Sequence, residues 1–128
     1  MNRWLWVRED ALMAMHDVQL AAHGGSSGVR NLDAVRAALA RPAQREAYAE
    51  RPPDLAELAA AYAHGLANCH GFIDGNKRIA WLTARLFIRL NGGRLQCSPQ
   101  DAIAAMLTLA AGTMSEAELA AWFRCRLQ

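Results

Sequence analysis

The segment that most restricts how this chain can fold is NKRIAWLTARLFIRL, residues 76–90. Its apolar residues cover most of the circumference of a helix, while Arg78, Arg85 and Arg89 fall at i, i+7 and i+11 and form one narrow stripe. A helix with so wide an apolar surface must be packed on several sides. We therefore predict a central helix over residues 76–90, ended by the glycine pair at 92–93.

Apolar residues at helical spacing and local capping signals predict further helices along the chain. They are Glu9–His23, a helix from an Asn31 cap to Leu39 that stops before Pro42, Gln44–Glu50, Leu55–Asn68 with an Asp54–Glu57 capping box, a helix from Ser98, and one from Ser115 with Glu118. Residues 4–7 and 94–97 are predicted as short strands. The chain thus reads as one domain over residues 1–128, with six or seven helices around the central one.

Composition excludes several classes of protein. The net charge of +2 is too small to indicate binding to nucleic acid or to an anionic membrane surface. No apolar run approaches the roughly 20 residues of a membrane span, and the N-terminus lacks the apolar core of a signal peptide. Cys69, Cys97 and Cys125 form no C-x-x-C pair. We therefore expect a cytoplasmic protein that contacts neither nucleic acid nor a membrane directly.

Residues 70–78, HGFIDGNKR, crowd ionisable groups against the start of the central helix. Lys77 is the only lysine in the chain, and with Arg78 it falls in the first helical turn, where each cation costs about 0.3–1 kcal/mol against the helix dipole. Free N–H groups of that turn favour an anion instead. A bound polyanion would reverse the penalty, so Gly75, Asn76, Lys77 and Arg78 are predicted to bind phosphates.

Two further residues of the motif suggest catalysis. Asp74 would repel phosphates unless a divalent cation lies between them, and Mg²⁺ is commonly held by one or two carboxylates plus phosphate oxygens. His70, across the short turn, can take a proton from a hydroxyl that attacks a nucleotide. Asn76 can either cap the turn or orient a phosphate, and the residues alone leave both roles open. His16 and His64 lie among apolar helical positions and are interpreted as structural.

The loop GGSSG, residues 24–28, lacks the G-K-[ST] ending of a phosphate-binding loop and is interpreted as a mobile surface loop. An alternative is that Gly24, Gly25, Gly28 and Arg30 position a protein substrate near the motif, since flexible loops often carry such roles.

The pattern H-x-F-x-D-x-N-K-R resembles the signature of the Fic/Doc family, specifically its Doc (death-on-curing) toxin branch. The residues that match it are His70, Phe72, Asp74, Asn76, Lys77 and Arg78. Residues 16–31, 38–42, 90–95 and 106–122 are also similar to chromosomal Doc-type toxins, so the resemblance covers nearly the whole chain. It implies an all-α Fic/Doc fold in which the motif loop and the following helix form the active site.

The resemblance also implies a reaction. His70 would be the base, Asp74 the Mg²⁺ ligand, and residues 76–78 the phosphate cradle for ATP. Fic enzymes that transfer AMP have glycine in place of Lys77 and arginine in place of Trp81. The Doc branch implies a reversed nucleotide, with the γ-phosphate transferred to a Ser or Thr hydroxyl of elongation factor Tu and translation arrested. AMP transfer and a weakly catalytic co-repressor module that binds antitoxin are the alternatives.

Regulation is expected to come from another chain. Many Fic proteins are restrained by an internal S/T-x-x-x-E pattern, and no Ser or Thr here is followed by Glu four residues later. The resemblance implies a Phd-like antitoxin whose C-terminal amphipathic helix lies in a groove of the toxin. Gly71 replaces a proline common in Fic motifs and predicts a looser turn.

Overall fold

The computed structural model describes residues 4–128 as an arrangement of six α-helices. They are α1 (Glu9–His23), α2 (Leu32–Tyr48), α3 (Leu55–Asn68), α4 (Asn76–Leu90), α5 (Pro99–Ala110) and α6 (Glu116–Arg126). Residues 4–128 form no β-strand; they contain only isolated β-bridges between Val29 and Phe72 and between Leu95 and Leu127. The predicted all-α architecture is confirmed. None of the described helices is both long and apolar enough to cross a bilayer.

The core is built around α3 and α4, which pack along each other. Helix α3 is buried along most of its length because its alanine-rich sequence lets α2, α4 and α6 approach closely. Tyr62 is fully buried on α3, and its hydroxyl accepts a 3.0 Å hydrogen bond from Val7 N. Helix α4 buries seven residues, including Trp81 and Phe87, and leaves its arginines exposed. The centre of the domain is therefore the α3–α4 pair, with α3 the more enclosed.

Helix α2 differs from the prediction. Two short helices separated at Pro42 were expected, because a proline inside a helix removes a hydrogen bond and clashes with the preceding turn, at a cost of about 3 kcal/mol. The structure instead has one continuous helix with Pro42 buried inside it. Packing on α3 holds both halves: Ala38 lies against Gly65 on one side of the proline, and Arg45 pairs with Glu57 on the other.

The predicted strand at residues 4–7 is wrong. This segment forms no strand and pairs instead with a side chain: the Asn91 amide accepts from Leu5 N at 2.8 Å and donates to Leu5 O at 3.0 Å. Trp4 and Trp6 both pack on the ring of Phe87. Residues 94–97 pair only briefly, through the bridge at Leu95, with the C-terminal segment as their partner.

The predicted capping signals are confirmed. Asp54–Glu57 and Ser115–Glu118 both form complete capping boxes, Ser98 caps α5 with proline at its first position, and the Asn31 side chain caps α2. Because α3 ends at Asn68 and α4 begins at Asn76, the segment between them is a short loop, residues 69–75. This motif loop lies at the junction of the two core helices.

Candidate active site

The motif loop and the first turn of α4 line a pocket of about 520 Å³, a volume typical of small-ligand sites. Its other wall is α5. The lining residues are Ala67, His70, Ile73, Asp74, Gly75, Asn76, Lys77, Arg78, Met106, Leu107 and Ala110. The structure therefore brings together all the motif residues that the sequence predicted as a site. The contribution of α5 was not predicted, because only packing places that helix opposite the loop.

His70 lies just beyond the end of α3 in an unusual backbone conformation. Its φ of +51° is in the left-handed region, which non-glycine residues seldom adopt and which often marks functional sites. The residue is exposed on the pocket wall, and within residues 4–128 its imidazole has no hydrogen-bond partner. The imidazole is therefore free to contact a ligand in the pocket.

Asp74 has its carboxylate held from two sides. Oδ1 accepts from Gly75 N at 3.1 Å and Oδ2 accepts from Ser26 N at 3.2 Å. Each oxygen keeps a further lone pair for a cation. No group of three or more His, Cys, Asp or Glu ligands occurs among the described residues, so a cation here would need oxygens from its own ligand. One exposed carboxylate beside the predicted phosphate site fits Mg²⁺, which is commonly held by one or two carboxylates together with phosphate oxygens.

The start of α4 has the features of an anion site. Gly75 is its N-cap with a φ of +80°, no side chain caps this end, and the first turn contains no acidic residue. The helical ladder begins with Ile79 N donating to Gly75 O at 3.0 Å, so the N–H groups of residues 76–78 have no partner inside the helix. Lys77 and Arg78 are exposed and form no ion pair with any described residue. Three free N–H groups and two cationic side chains thus lie together in this first turn, an arrangement that favours an anion.

Asn76 holds the motif loop with its side chain. Its Oδ1 accepts from Phe72 N and its Nδ2 donates to Phe72 O, both at 2.9 Å. Of the two roles left open by the sequence, the structure shows the one that closes the turn. Both polar groups of the amide bond to Phe72, and the backbone N–H of Asn76 lies in the uncapped first turn of α4, so the contact of Asn76 with phosphate stays a prediction.

The loop GGSSG is exposed on the surface and lies beside the motif loop, to which it and the residues that follow it are hydrogen-bonded. Arg30 N and Asn31 N both donate to Gly71 O, at 2.7 and 3.0 Å, and Ile73 N donates to Gly28 O at 3.2 Å. A Cβ at Gly25 would lie 3.0 Å from Asp74 Oδ2, in addition to the strain of its positive φ. The loop therefore lies directly beside the predicted metal ligand.

Other candidates from this loop are less engaged. Gly24 ends α1 with a φ of +79° and has open space around it, and Gly28 lies against Ile73. Arg30 is exposed, and its guanidinium has no partner among residues 4–128. These positions border the motif loop, and their predicted role in positioning a protein substrate stays a prediction.

Gly71 does not loosen the turn as expected. The residue is buried, its carbonyl accepts the two hydrogen bonds from residues 30 and 31, and a Cβ there would collide with Val35 Cγ2. Glycine at this position allows α2 to approach the loop closely. The turn is therefore tightly packed.

His16 contacts the site, although the sequence suggested a structural role. It is a buried residue of α1, its Nε2 lies 2.9 Å from Asp74 O, and its ring stacks on Phe72 with centroids 3.9 Å apart. The signal available in the sequence was a polar residue at a buried helical position. Nothing local indicated which element it would meet.

The chain matches known proteins over most of its length. Residues 6–88 match the model of the Fic/DOC family. The chain is 36% identical over 107 residues to "Protein kinase doc" of Escherichia phage P1, across 84% of this chain and 82% of that protein. It is 40% identical over 88 residues to "Toxin Doc" of Mycolicibacterium smegmatis, across 69% of this chain and 65% of that protein.

Proposed function

This chain belongs to the Fic/DOC family, and from that premise we propose that it is the toxin of a toxin–antitoxin pair that phosphorylates a protein. The donor is ATP with Mg²⁺, and the acceptor is a Ser or Thr hydroxyl. The observation that carries the proposal is made on residues 4–128: one pocket is lined by a histidine without a side-chain hydrogen bond, an exposed carboxylate and an uncapped helix start with two cations that form no ion pair. The names of the two relatives, a toxin and a protein kinase, support it.

The residues divide the reaction between them. Lys77, Arg78 and the N–H groups of the first turn of α4 bind the phosphates and neutralise charge that develops during transfer. Asp74 would hold Mg²⁺, which would supply positive charge to offset that of the phosphates. His70 accepts the proton of the acceptor hydroxyl as its oxygen bonds to the γ-phosphorus. The bond from that phosphorus to the β-phosphate breaks, and ADP leaves.

Lys77 and Trp81 favour phosphate transfer over AMP transfer. Lys77 is exposed on the pocket, where the AMP-transferring pattern has glycine. Trp81 is only 4% exposed and packs against Trp122 and Phe123, where that pattern has an arginine. The cation that would hold a nucleotide in the AMP-transferring orientation is thus replaced by a core residue. The intact mass of the modified acceptor tests this: a gain of one phosphate is expected, and a gain of one adenylate would refute it.

The acceptor that we propose is elongation factor Tu, as the resemblance to the Doc branch implies, and the reaction would take place in the cytoplasm. Purified chain is incubated with γ-labelled ATP, Mg²⁺ and elongation factor Tu, with His70→Ala as the control. We expect the unmodified chain to label elongation factor Tu and the His70→Ala variant to leave it unlabelled. If growth arrest in cells survives His70→Ala, binding rather than catalysis causes it, as the co-repressor alternative requires.

We propose that the antitoxin binds the apolar groove between α1 and α4. The groove has a volume of about 380 Å³ and is lined by Ala14, Met15, Val18, Gln19, Ala22, His23 and Leu82. Val18 is 69% exposed and contributes to the apolar surface of this groove. Arg85 and Arg89 share the exposed stripe of α4 with Arg78 and have no ion pair among residues 4–128. An amphipathic helix with an acidic edge would complement both features.

A further inference from the structure

We infer that His16 is a positioning residue of the active site. It acts through the peptide bond between Asp74 and Gly75, which it fixes so that the Asp74 carboxylate and the first turn of α4 face the same pocket. The identity of the ligand, ATP with Mg²⁺, rests on the proposed function. The positioning itself follows from the contacts of a residue on α1, 58 positions away in sequence.

The contact between His16 and Asp74 has a defined direction. The Asp74 carbonyl oxygen can only accept a hydrogen bond, so His16 Nε2, at 2.9 Å, must carry the proton and donate it. The ring cannot easily turn away, because it is 3% exposed and stacks on Phe72 at a centroid distance of 3.9 Å and an interplanar angle of 22°. Phe72 is in turn held by the Asn76 amide. The imidazole is therefore a rigid donor.

The peptide that His16 holds is tied at both ends. Its carbonyl accepts from His16, and its N–H, which belongs to Gly75, donates to Asp74 Oδ1 at 3.1 Å. A rotation of this peptide would move the carboxylate and the N-cap of α4 together. Gly75 adopts a φ of +80° and ψ of 14°, and glycine has neighbouring conformations of similar energy, so the local chain alone does not fix the peptide. The donor from α1 supplies the missing constraint.

The orientation matters for an anionic ligand. With the carbonyl directed toward His16, the positive ends of the peptides at the start of α4 are left for the phosphates. If the peptide turned, its carbonyl oxygen would present negative charge to the same ligand, and the carboxylate would lose its hydrogen bond from Gly75 N. Phosphate and metal binding should therefore both weaken when the His16 donor is removed, although His16 touches neither.

Two substitutions separate the hydrogen bond from the packing. His16→Phe keeps a flat ring on Phe72 but has no N–H donor, whereas His16→Gln keeps a donor near the position of Nε2. His64→Phe is the matched control, since His64 lies on α3 beside Glu116 and does not line the pocket. Binding of the non-hydrolysable analogue AMP-PNP with Mg²⁺ is measured by titration calorimetry, and the amide resonances of Gly75 and Lys77 by NMR.

We expect His16→Phe to weaken AMP-PNP binding about 10-fold, the effect of one lost hydrogen bond, and to shift both amide resonances. His16→Gln should recover part of the affinity, and His64→Phe should leave affinity and resonances unchanged. Affinity and amide resonances in folded His16→Phe that equal those of the unmodified chain would overturn the inference, because a purely structural histidine predicts that result.

A measurement on the unmodified chain covers the case in which His16→Phe does not fold. Nitrogen-15 shifts of the imidazole should show a protonated Nε2 whose hydrogen exchanges slowly with solvent. A ring protonated only at Nδ1 could not donate to the Asp74 carbonyl, and this result would also overturn the inference. Failure of the unmodified chain to bind AMP-PNP would instead contradict the proposed function, and the two outcomes are therefore distinguishable.

Discussion

Replacing Gly71 by alanine tests how closely α2 is packed against the motif loop. A Cβ at this position would collide with Val35 Cγ2, and Val35 is fully buried on α2. Overpacking of this kind costs about 1–3 kcal/mol, because either the loop or the helix must move. With a typical dependence on urea, the midpoint of unfolding should fall by roughly 1 M.

A double-mutant cycle with Val35→Ala shows whether the collision is the cause. Val35→Ala alone removes two buried methyl groups and should cost about 2–3 kcal/mol through lost burial and a cavity. The new methyl at Gly71→Ala would enter that space, so the double variant should be more stable than the sum of the single effects predicts, by at least about 1 kcal/mol. The free energy of unfolding of all four proteins is measured by urea titration followed by circular dichroism.

Gly65→Ala is the control for glycine replacement. Its Cβ would meet Ala38 Cβ at 3.7 Å, an ordinary contact, and alanine favours the helix by about 0.5–1 kcal/mol. Gly65→Ala should therefore be neutral or stabilising. Additive effects of Gly71→Ala and Val35→Ala, within about 0.5 kcal/mol, would refute the close packing described for this loop.

Three further predictions concern the ligand, the partner and the pH dependence. Lys77→Gly should lower phosphate transfer by about 10-fold or more, measured with labelled ATP, because a charged contact to phosphate is lost; unchanged transfer and product would contradict the role of this lysine. Val18→Asp should leave toxicity intact but prevent neutralisation by co-expressed antitoxin, whereas Ile103→Asp, an equally apolar exposed position on α5, should not. The Asp54 backbone N–H that donates to the Glu57 carboxylate lowers the pKa of Glu57 below its usual 4.5. The ionised carboxylate therefore stabilises the folded protein above pH 4.5, and this contribution to the free energy of unfolding is lost as the pH falls through the lowered pKa. Urea titrations between neutral and acidic pH should show a smaller loss of stability in Glu57→Gln, and an identical loss would exclude this carboxylate as a source.

Much of the helical framework was predictable because its signals are local. A capped helix begins where a side chain can accept a hydrogen bond from the N–H group three residues later. Asp54, Ser98 and Ser115 are residues of this kind and could be identified from the sequence. The boundaries of α1, α3 and α4 also agreed with the prediction; α3 has a capping box, whereas α1 and α4 have no side-chain cap and were marked by apolar periodicity and by the glycines that follow them. Residues 70–78 were recognisable as a candidate site because they are contiguous in the sequence. Two cations in the first turn of a helix are unfavourable, and this can be read from the sequence before the fold is known.

The errors arose where distant contacts outweighed local preference. Pro42 should end a helix, yet contacts with α3 on both sides of it keep α2 continuous. Residues 4–7 have the composition of a strand, but the Asn91 side chain occupies the place of a strand partner. In both cases the deciding interactions come from residues far away in the chain, which no local pattern contains.

The amino-acid sequence by itself determined where most of the helices begin and which contiguous residues, 70–78, form the candidate site at the start of α4. Only the tertiary structure decided how those side chains are held. In the folded protein the Asn76 amide bonds to Phe72 in the motif loop, and α5 lies opposite Lys77 and Arg78. The His16 imidazole donates to the Asp74 carbonyl. The physical reason is the distance along the chain over which each interaction acts. Capping bonds and helix dipoles act within about one turn. The orientation of a peptide beside a glycine depends instead on a donor from a distant part of the chain, which only packing brings next to it.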